Sequence, residues 1–166
     1  EEANQVYSID DYPGLSVEPF SEDVTKILQT PLNHEDVEVK PDGAIYLPEV
    51  KYRKILTAAF GAGGWALLPR GPHTLNGITL SREYALFCRG RFISQARGSA
   101  NIQGQATAAA STESVRSNSL MRCCKDLGIA SELWDRYFVN EWKERYAVKK
   151  SIADRFGNSK LIWMKK

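Results

Sequence analysis

The spacing of apolar positions changes several times along this chain, and each change predicts an element. In "SEDVTKILQTPL", Val24, Ile27 and Leu28 recur at helical intervals behind Ser21, with Glu22 and Asp23 in the first turn and Pro31 beyond. A serine hydroxyl accepts from a free N–H of the first turn, and acids favour that end of the helix dipole. A short helix that stops before Pro31 is therefore expected. "VEVKPDGAIYL" places two short apolar runs around Pro41-Asp42-Gly43. That pattern predicts a hairpin with strands near 37–40 and 44–47. "PEVKYRKILTAAF" is apolar at Val50, Ile55, Ala58 and Ala59, with bases between and Pro48 at its start. It predicts a helix over 48–60.

The stretch "FGAGGWALLPRGP" raises the question of a phosphate-cradling glycine loop. Such a loop leaves a strand and opens a helix, so that backbone N–H groups converge on the anion. Here the order is reversed: the glycines follow a helix and precede a short apolar run, 64–69, that reads as a strand. No Lys-Ser or Lys-Thr pair follows. The glycines are expected to end the helix and make a turn. Next, Ile78, Leu80, Tyr84, Leu86 and Cys88 share one parity, broken by Arg82, while Thr79, Ser81, Glu83 and Arg89 share the other. This predicts a long hairpin turning at Arg89-Gly90-Arg91, with a return strand of small and polar residues from Phe92 to Ile102.

The low-complexity run "GQATAAASTES" leads into a helix expected over 111–127. Leu120, Cys123, Cys124 and Leu127 step at core intervals, and Ser111, Ser114, Asn118, Arg122 and Lys125 form a polar face with a basic end. A further helix is expected from Ser131, with an aromatic stripe of Trp134, Tyr137, Phe138 and Trp142. The last twenty residues interleave bases with Phe156 and Trp163. The order is helix, hairpin, helix, three strands, helix, helix. It predicts an α+β fold with one antiparallel sheet, a short N-terminal helix and hairpin, and a C-terminal helix. Three segments are expected: an acidic, loosely ordered 1–20, a single domain over 21–146, and a basic-aromatic tail over 147–166.

Composition changes this picture in one respect. The net charge is only +2, but residues 1–50 carry twelve acids and two bases, whereas 51–135 and 136–166 are each net +6. An acidic head on a basic body points to a polyanion partner, or to an acidic segment docked on a basic neighbour. Chemistry of other kinds finds little support. Cys88, Cys123 and Cys124 lack C-x-x-C spacing and read as buried thiols of a reducing compartment; the two histidines lie far apart. No metal or other cofactor is expected. No carboxylate pair suits two-metal chemistry, and no nucleophile motif occurs. No run of about 18 apolar residues is present, so no membrane span is expected. The acidic start resembles neither a signal nor a transit peptide.

The bases between 70 and 97 are all arginine: Arg70, Arg82, Arg89, Arg91 and Arg97. A guanidinium presents a planar fork of donors that fits phosphate and stacks on nucleobases. With Arg122 and Lys125 they suit a groove for a nucleic-acid backbone; equally, hairpin arginines protect an edge strand. In the tail, Lys149, Lys150 and Arg155 alternate with aromatics, which suits stacking of single-stranded bases. The same Phe156, Ile162 and Trp163 also suit docking on the core.

"YPGLSVEPFSEDV", "FGAGGWALLPRGPH" and "SLMRCCKDLGIASELWD" resemble the fungal mitochondrial genome maintenance proteins, across essentially the whole chain. That family is identified as a member of the Rad-type single-strand annealing superfamily. The shared pattern is a β-β-β-α core with an "FG-x-x-GW" turn, here Phe60-Gly61 and Gly64-Trp65, and a long helix with a basic end and a Leu127-Gly128 stop. The resemblance implies ATP-independent annealing of single-stranded DNA through a duplex intermediate, by large homo-oligomeric rings without covalent catalysis. It places the work in the mitochondrial matrix nucleoid, in DNA recombination and repair. A non-catalytic architectural or RNA-binding oligomer of the nucleoid is the alternative. Carried over by position, the groove would include Lys40, Tyr46 and Lys51, with Arg122 and Lys125 as the helix wall. Arg70, Arg89, Arg91 and Arg97 would face them; the basic-aromatic pattern of the tail, not the resemblance, adds Lys149, Lys150, Arg155 and Trp163. Where many members carry two adjacent bases on the long helix, this chain has Met121-Arg122. The acidic head suits packing on the basic body of a next copy, a contact that closes into rings.

Overall fold

The computed structural model describes residues 8–104 and 107–166; residues 1–7 of the acidic head and 105–106 of the low-complexity run lie outside the described residues. The fold is α+β, with antiparallel sheets and, among the described residues, four α-helices. Helix α1 (Glu22–Leu28) begins where Ser21 accepts from the Val24 N–H. A small hairpin, β1 (Glu38–Val39) and β2 (Ile45–Tyr46), turns at Asp42, whose carboxylate accepts from the Ala44 N–H. Helix α2 (Glu49–Phe60) follows and ends at Gly61, whose φ of 86° suits glycine. Gly64 then approaches the Phe60 carbonyl too closely to admit a Cβ. The glycine-rich stretch is thus a helix stop and turn into β3 (Trp65–Pro69).

The main sheet is built on β5 (Thr79–Cys88), whose partner β6 (Arg91–Asn101) runs beside it from Thr79 opposite Asn101 to Cys88 opposite Arg91. The two-residue turn between them has φ of 49° at Arg89 and 75° at Gly90, the paired positive values of a tight hairpin. On its other side β5 pairs with β3 at Tyr84–Cys88 and with β4 (Thr74–Asn76) at Thr79–Ser81. β4 had no signature in the sequence: its three residues are all exposed and show no alternation to read.

Helix α3 (Ala108–Cys124) lies across β6 and β5. A Cβ at Gly98 would meet the Val115 carbonyl and the Ser119 backbone N–H, so the helix approaches β6 as closely as it does only because residue 98 is glycine. The Ser119 hydroxyl donates to the Ala96 carbonyl, Arg122 donates to the Arg97 carbonyl, and Asn118 accepts from the Ser99 N–H. The small and polar residues of the return strand therefore serve close helix packing. Leu56, Leu86, Val115, Leu120, Cys123 and Cys124 are fully buried together, each large aliphatic side chain contributing about 1.5–3 kcal/mol.

The structure sets the face of α2 and corrects two expectations, the polar face of Ser111 and a single helix from Ser131. On α2 the buried side is Tyr52, Leu56, Ala59 and Phe60, while Val50 and Ala58 are exposed. Ser111, expected on the polar face of α3, is buried, its hydroxyl donating to the Thr107 carbonyl. The aromatic stripe after Ser131 is not a core stripe. A 3-10 turn, Ser131–Trp134, ends at Asp135, which caps a separate helix α4 (Arg136–Tyr146). The break rotates Trp134 and Tyr137 outward and leaves Trp142 buried in a second, smaller core with Val37 and Ala147. The last residues form a hairpin, β7 (Ala147–Ala153) and β8 (Ser159–Lys165), seated on the β1–β2 turn where the Trp163 N–H donates to the Pro41 carbonyl.

Candidate nucleic-acid interface

The expected site residues separate into two sets. At the tight turn of the main hairpin, Arg70, Arg89 and Arg91 are occupied by the chain itself. Arg70 is half-buried, donates to the Asp11 carbonyl at 2.7 Å and lies over the Phe87 and Phe92 rings. Arg91 holds the Glu18 carboxylate at 2.9 Å and covers Phe20 at 4.5 Å. Arg89 sits over Phe60 at the end of α2. Tyr12 meets Phe92 edge-on, and the Phe92 N–H donates to the Pro13 carbonyl. The described part of the acidic head is thus docked on the basic body of its own chain. Two other expected contacts are also taken: Lys51 pairs with Asp36 at 3.0 Å, and Arg97 pairs with Glu83 at 3.2 Å.

The second set forms a row linked through shared cavities and ring contacts, with Asp42 as the acid among them. Lys40, Lys149 and Trp163 line one cavity of about 510 Å³ together with Lys160. Lys149 lies 5.0 Å from the Trp163 ring centre, and Lys143 of α4 lies 4.3 Å from it. Gly43 makes this possible, because a Cβ there would stand 2.7 Å from the Trp163 indole nitrogen. The Lys40 ammonium lies 5.6 Å from the Tyr46 ring centre. Tyr46 in turn shares a second cavity, of about 230 Å³, with Arg122 and Trp134. The Lys125 ammonium stands 3.8 Å from the Trp134 ring centre. Among the described residues, none of Lys40, Lys125, Lys143, Lys149, Lys160 or Arg122 forms an ion pair. A ring face holds a cation without neutralising its charge, and Lys40, Lys125, Lys143 and Lys149 are held in this way.

Two tail residues stand apart from that row. Lys150 pairs with Ile162 on the opposite face of the β7–β8 hairpin from Lys149 and Trp163. Arg155 is at the hairpin tip, over Phe156, about 20 Å along the strand from Lys149. Sequence reasoning missed Lys143, Lys160 and Trp134. Lys143 carried no signal, and Trp134 stood in one aromatic stripe with Trp142; only the break at Asp135 separates the two.

The acids of 51–135 all have structural partners. Glu83 pairs with Arg97, Glu113 lies 3.9 Å from Arg53, and Asp126 accepts from Ser94. Glu132 accepts from the Leu32 N–H, and Asp135 caps α4. The three cysteines are buried thiols. Burial pushes Cys88 up to about 12 and Cys123 up to about 11, against an ordinary value of 9.0, and raises Cys124 as well.

An antiparallel sheet backed by one long helix, with six cations that lack acid partners gathered on an open basic-aromatic surface, defines this α+β protein. The chain belongs to the family described as "Mgm101p: Mitochondrial genome maintenance MGM101", which matches residues 8–166. It is 50% identical over 163 residues to the mitochondrial genome maintenance protein mgm101 homolog of Dictyostelium discoideum, covering 96% of this chain and 43% of that protein. It is 43% identical over 165 residues to the mitochondrial genome maintenance protein MGM101 of Kluyveromyces lactis, covering 99% and 63%. The corresponding protein of Schizosaccharomyces pombe is 46% identical over 154 residues, covering 92% and 57%. The chain spans about half the length of these curated relatives.

Proposed function

We propose that this chain binds single-stranded DNA along the row from Lys149 to Lys125 and anneals complementary strands without ATP, in mitochondrial DNA recombination, repair and maintenance. The observation that carries the reading is the row itself: six cations without acid partners, alternating with Trp163, Tyr46 and Trp134. Phosphates take the cations and bases meet the rings, an arrangement suited to single strands and tolerant of sequence. Annealing needs no covalent step. It needs two polyanions held together with their repulsion screened and their bases free. Six neutralised phosphates give a log–log salt slope near −4 for a single strand. Membership of a family named for mitochondrial genome maintenance supports the setting, which we place in the matrix nucleoid. A closed ring of copies extends the row into a continuous track. With Asp11 and Glu18 committed within the chain, contact between copies falls to the remaining acids of the head, Asp23 among them, and Glu22, whose partner Lys26 is only one helical turn away.

The test mixes two complementary oligonucleotides with the protein in the absence of ATP and metal, and follows pairing by fluorescence. Pairing faster than the spontaneous rate is expected. Binding without acceleration would instead favour an architectural or RNA-binding oligomer, and strand cleavage on adding magnesium would favour a nuclease.

A further inference from the structure

We propose that the cavity between Tyr46 and Trp134 receives one unstacked nucleobase of the bound strand, an inference that rests on the single-strand reading above. Three observations carry it. The first is the exposure of Trp134. This large ring is 60% exposed, whereas tryptophan is highly buried on average. It is turned outward by the backbone. Ala130, itself buried, has φ of 54°, a left-handed conformation unusual for alanine, and it starts the 3-10 turn that ends at Asp135.

The second observation is the size and lining of the cavity. Its volume is about 230 Å³, and Met121 and Leu133 contribute apolar wall beside the two rings. That is below the roughly 300–1,000 Å³ typical of sites for drug-sized ligands. It leaves room for one flat heterocycle. Met121, at the position where a second base is common in the resembling superfamily, makes the wall apolar instead of charged.

The third is the polar chemistry at the rim. The Asn118 carbonyl oxygen is taken by the Ser99 N–H at 3.0 Å, so the amide N–H groups are the part of that side chain left to offer. Arg122 spends one N–H on the Arg97 carbonyl at 2.9 Å and keeps the others. A guanidinium only donates. Beside the Tyr46 and Tyr52 hydroxyls, which can donate or accept, the side-chain groups offered are donors, which suits a base edge carrying an exocyclic oxygen; adenine, with an amino group there instead, is the poorest fit. Lys125, above the Trp134 ring, is placed for the phosphate beside the captured base.

The experiment compares an oligo(dT) strand with an abasic oligomer of the same length, by fluorescence anisotropy at fixed salt. The proteins are the unaltered chain, Trp134→Ala and Trp134→Phe, each with its thermal melt recorded. The unaltered protein is expected to bind oligo(dT) more tightly than the abasic oligomer. Trp134→Ala should lose about tenfold on oligo(dT), within the range for one stacked base. It should change less than twofold on the abasic oligomer, keep the same salt slope, and keep its melting temperature, since the ring is mostly exposed. Trp134→Phe should recover most of the loss. Equal loss on both oligomers, or no loss on oligo(dT), would overturn the pocket and leave single-strand binding intact. Failure of the unaltered protein to bind either oligomer would overturn the single-strand reading and the pocket with it.

Discussion

The tight turn of the main hairpin and the surface joining the two small hairpins carry the same kinds of residue and use them differently. At the turn, Arg70 and Arg91 have carboxylate partners, Asp11 and Glu18, and lie against Phe87, Phe92 and Phe20. Their charge is spent on fastening the acidic head to the sheet. On the other surface, Lys40, Lys149, Arg122 and Lys125 also rest on or beside aromatic rings, but no acid neutralises them. A cation on a ring is the same local motif in both places. For Arg70 and Arg91 the chain supplies the counter-charge, which makes them a structural clamp; Arg89 beside them has only the Ala59 carbonyl and the Phe60 ring.

The sharpest break in this comparison is a pair of triple substitutions. Lys40→Ala with Arg122→Ala and Lys149→Ala is expected to weaken single-strand binding about a hundredfold near 0.1 M salt and to flatten the salt slope by about 2, from three lost phosphate contacts. Arg70→Ala with Arg89→Ala and Arg91→Ala should leave that affinity within about threefold. It should instead cost about 1–2 kcal/mol of stability from lost surface pairs, lowering the melting temperature by about 2–8 °C. The two outcomes exchanged would reverse the assignment. A smaller effect sharpens it. Gly43→Ala strains a φ of +95° and pushes on the Trp163 ring. Affinity should drop about threefold while the turn set is untouched, as read by unchanged amide exchange at Tyr12; this is below the roughly tenfold expected for losing a stacked base.

The smallest effect in the neutral range concerns the core that both regions share. Burial raises Cys88 to about 12 and Cys123 to about 11 from 9.0, and Tyr52 to about 12 from 10.0. Raised folded values mean that the neutral forms are the ones the core holds. Their contribution is complete below about pH 9 and is lost as pH climbs through 11 and 12. Denaturation midpoints should be flat from pH 7 to about 8.5 and fall progressively above 9. A flat profile to pH 11 would show that these thiols remain solvated.

Much of the architecture is legible in the chain. Local spacing gives α1, α2, the long hairpin and α3 to within a few residues, because each has a cap, a turn glycine or a strict period. Ser21, Gly61 and Gly90 mark boundaries through backbone geometry that no distant residue has to supply. β4 escapes because it is short and wholly exposed. The facing of the last helices escapes because one left-handed residue, Ala130, and one cap, Asp135, reset the helical phase between Trp134 and Trp142. Periodicity read across that break adds two faces into one false stripe.

The sequence by itself determined the α+β plan and the inventory of cations and aromatics, because both follow from residue type and short-range spacing. Only the tertiary structure decided which of those cations are free. Asp11 and Glu18 are 59 and 73 residues away along the chain from the arginines they neutralise. Lys40 and Lys149, distant in sequence, share one cavity because β8 seats on the turn at Pro41. Charge pairing depends on separation in space, and folding alone sets that separation.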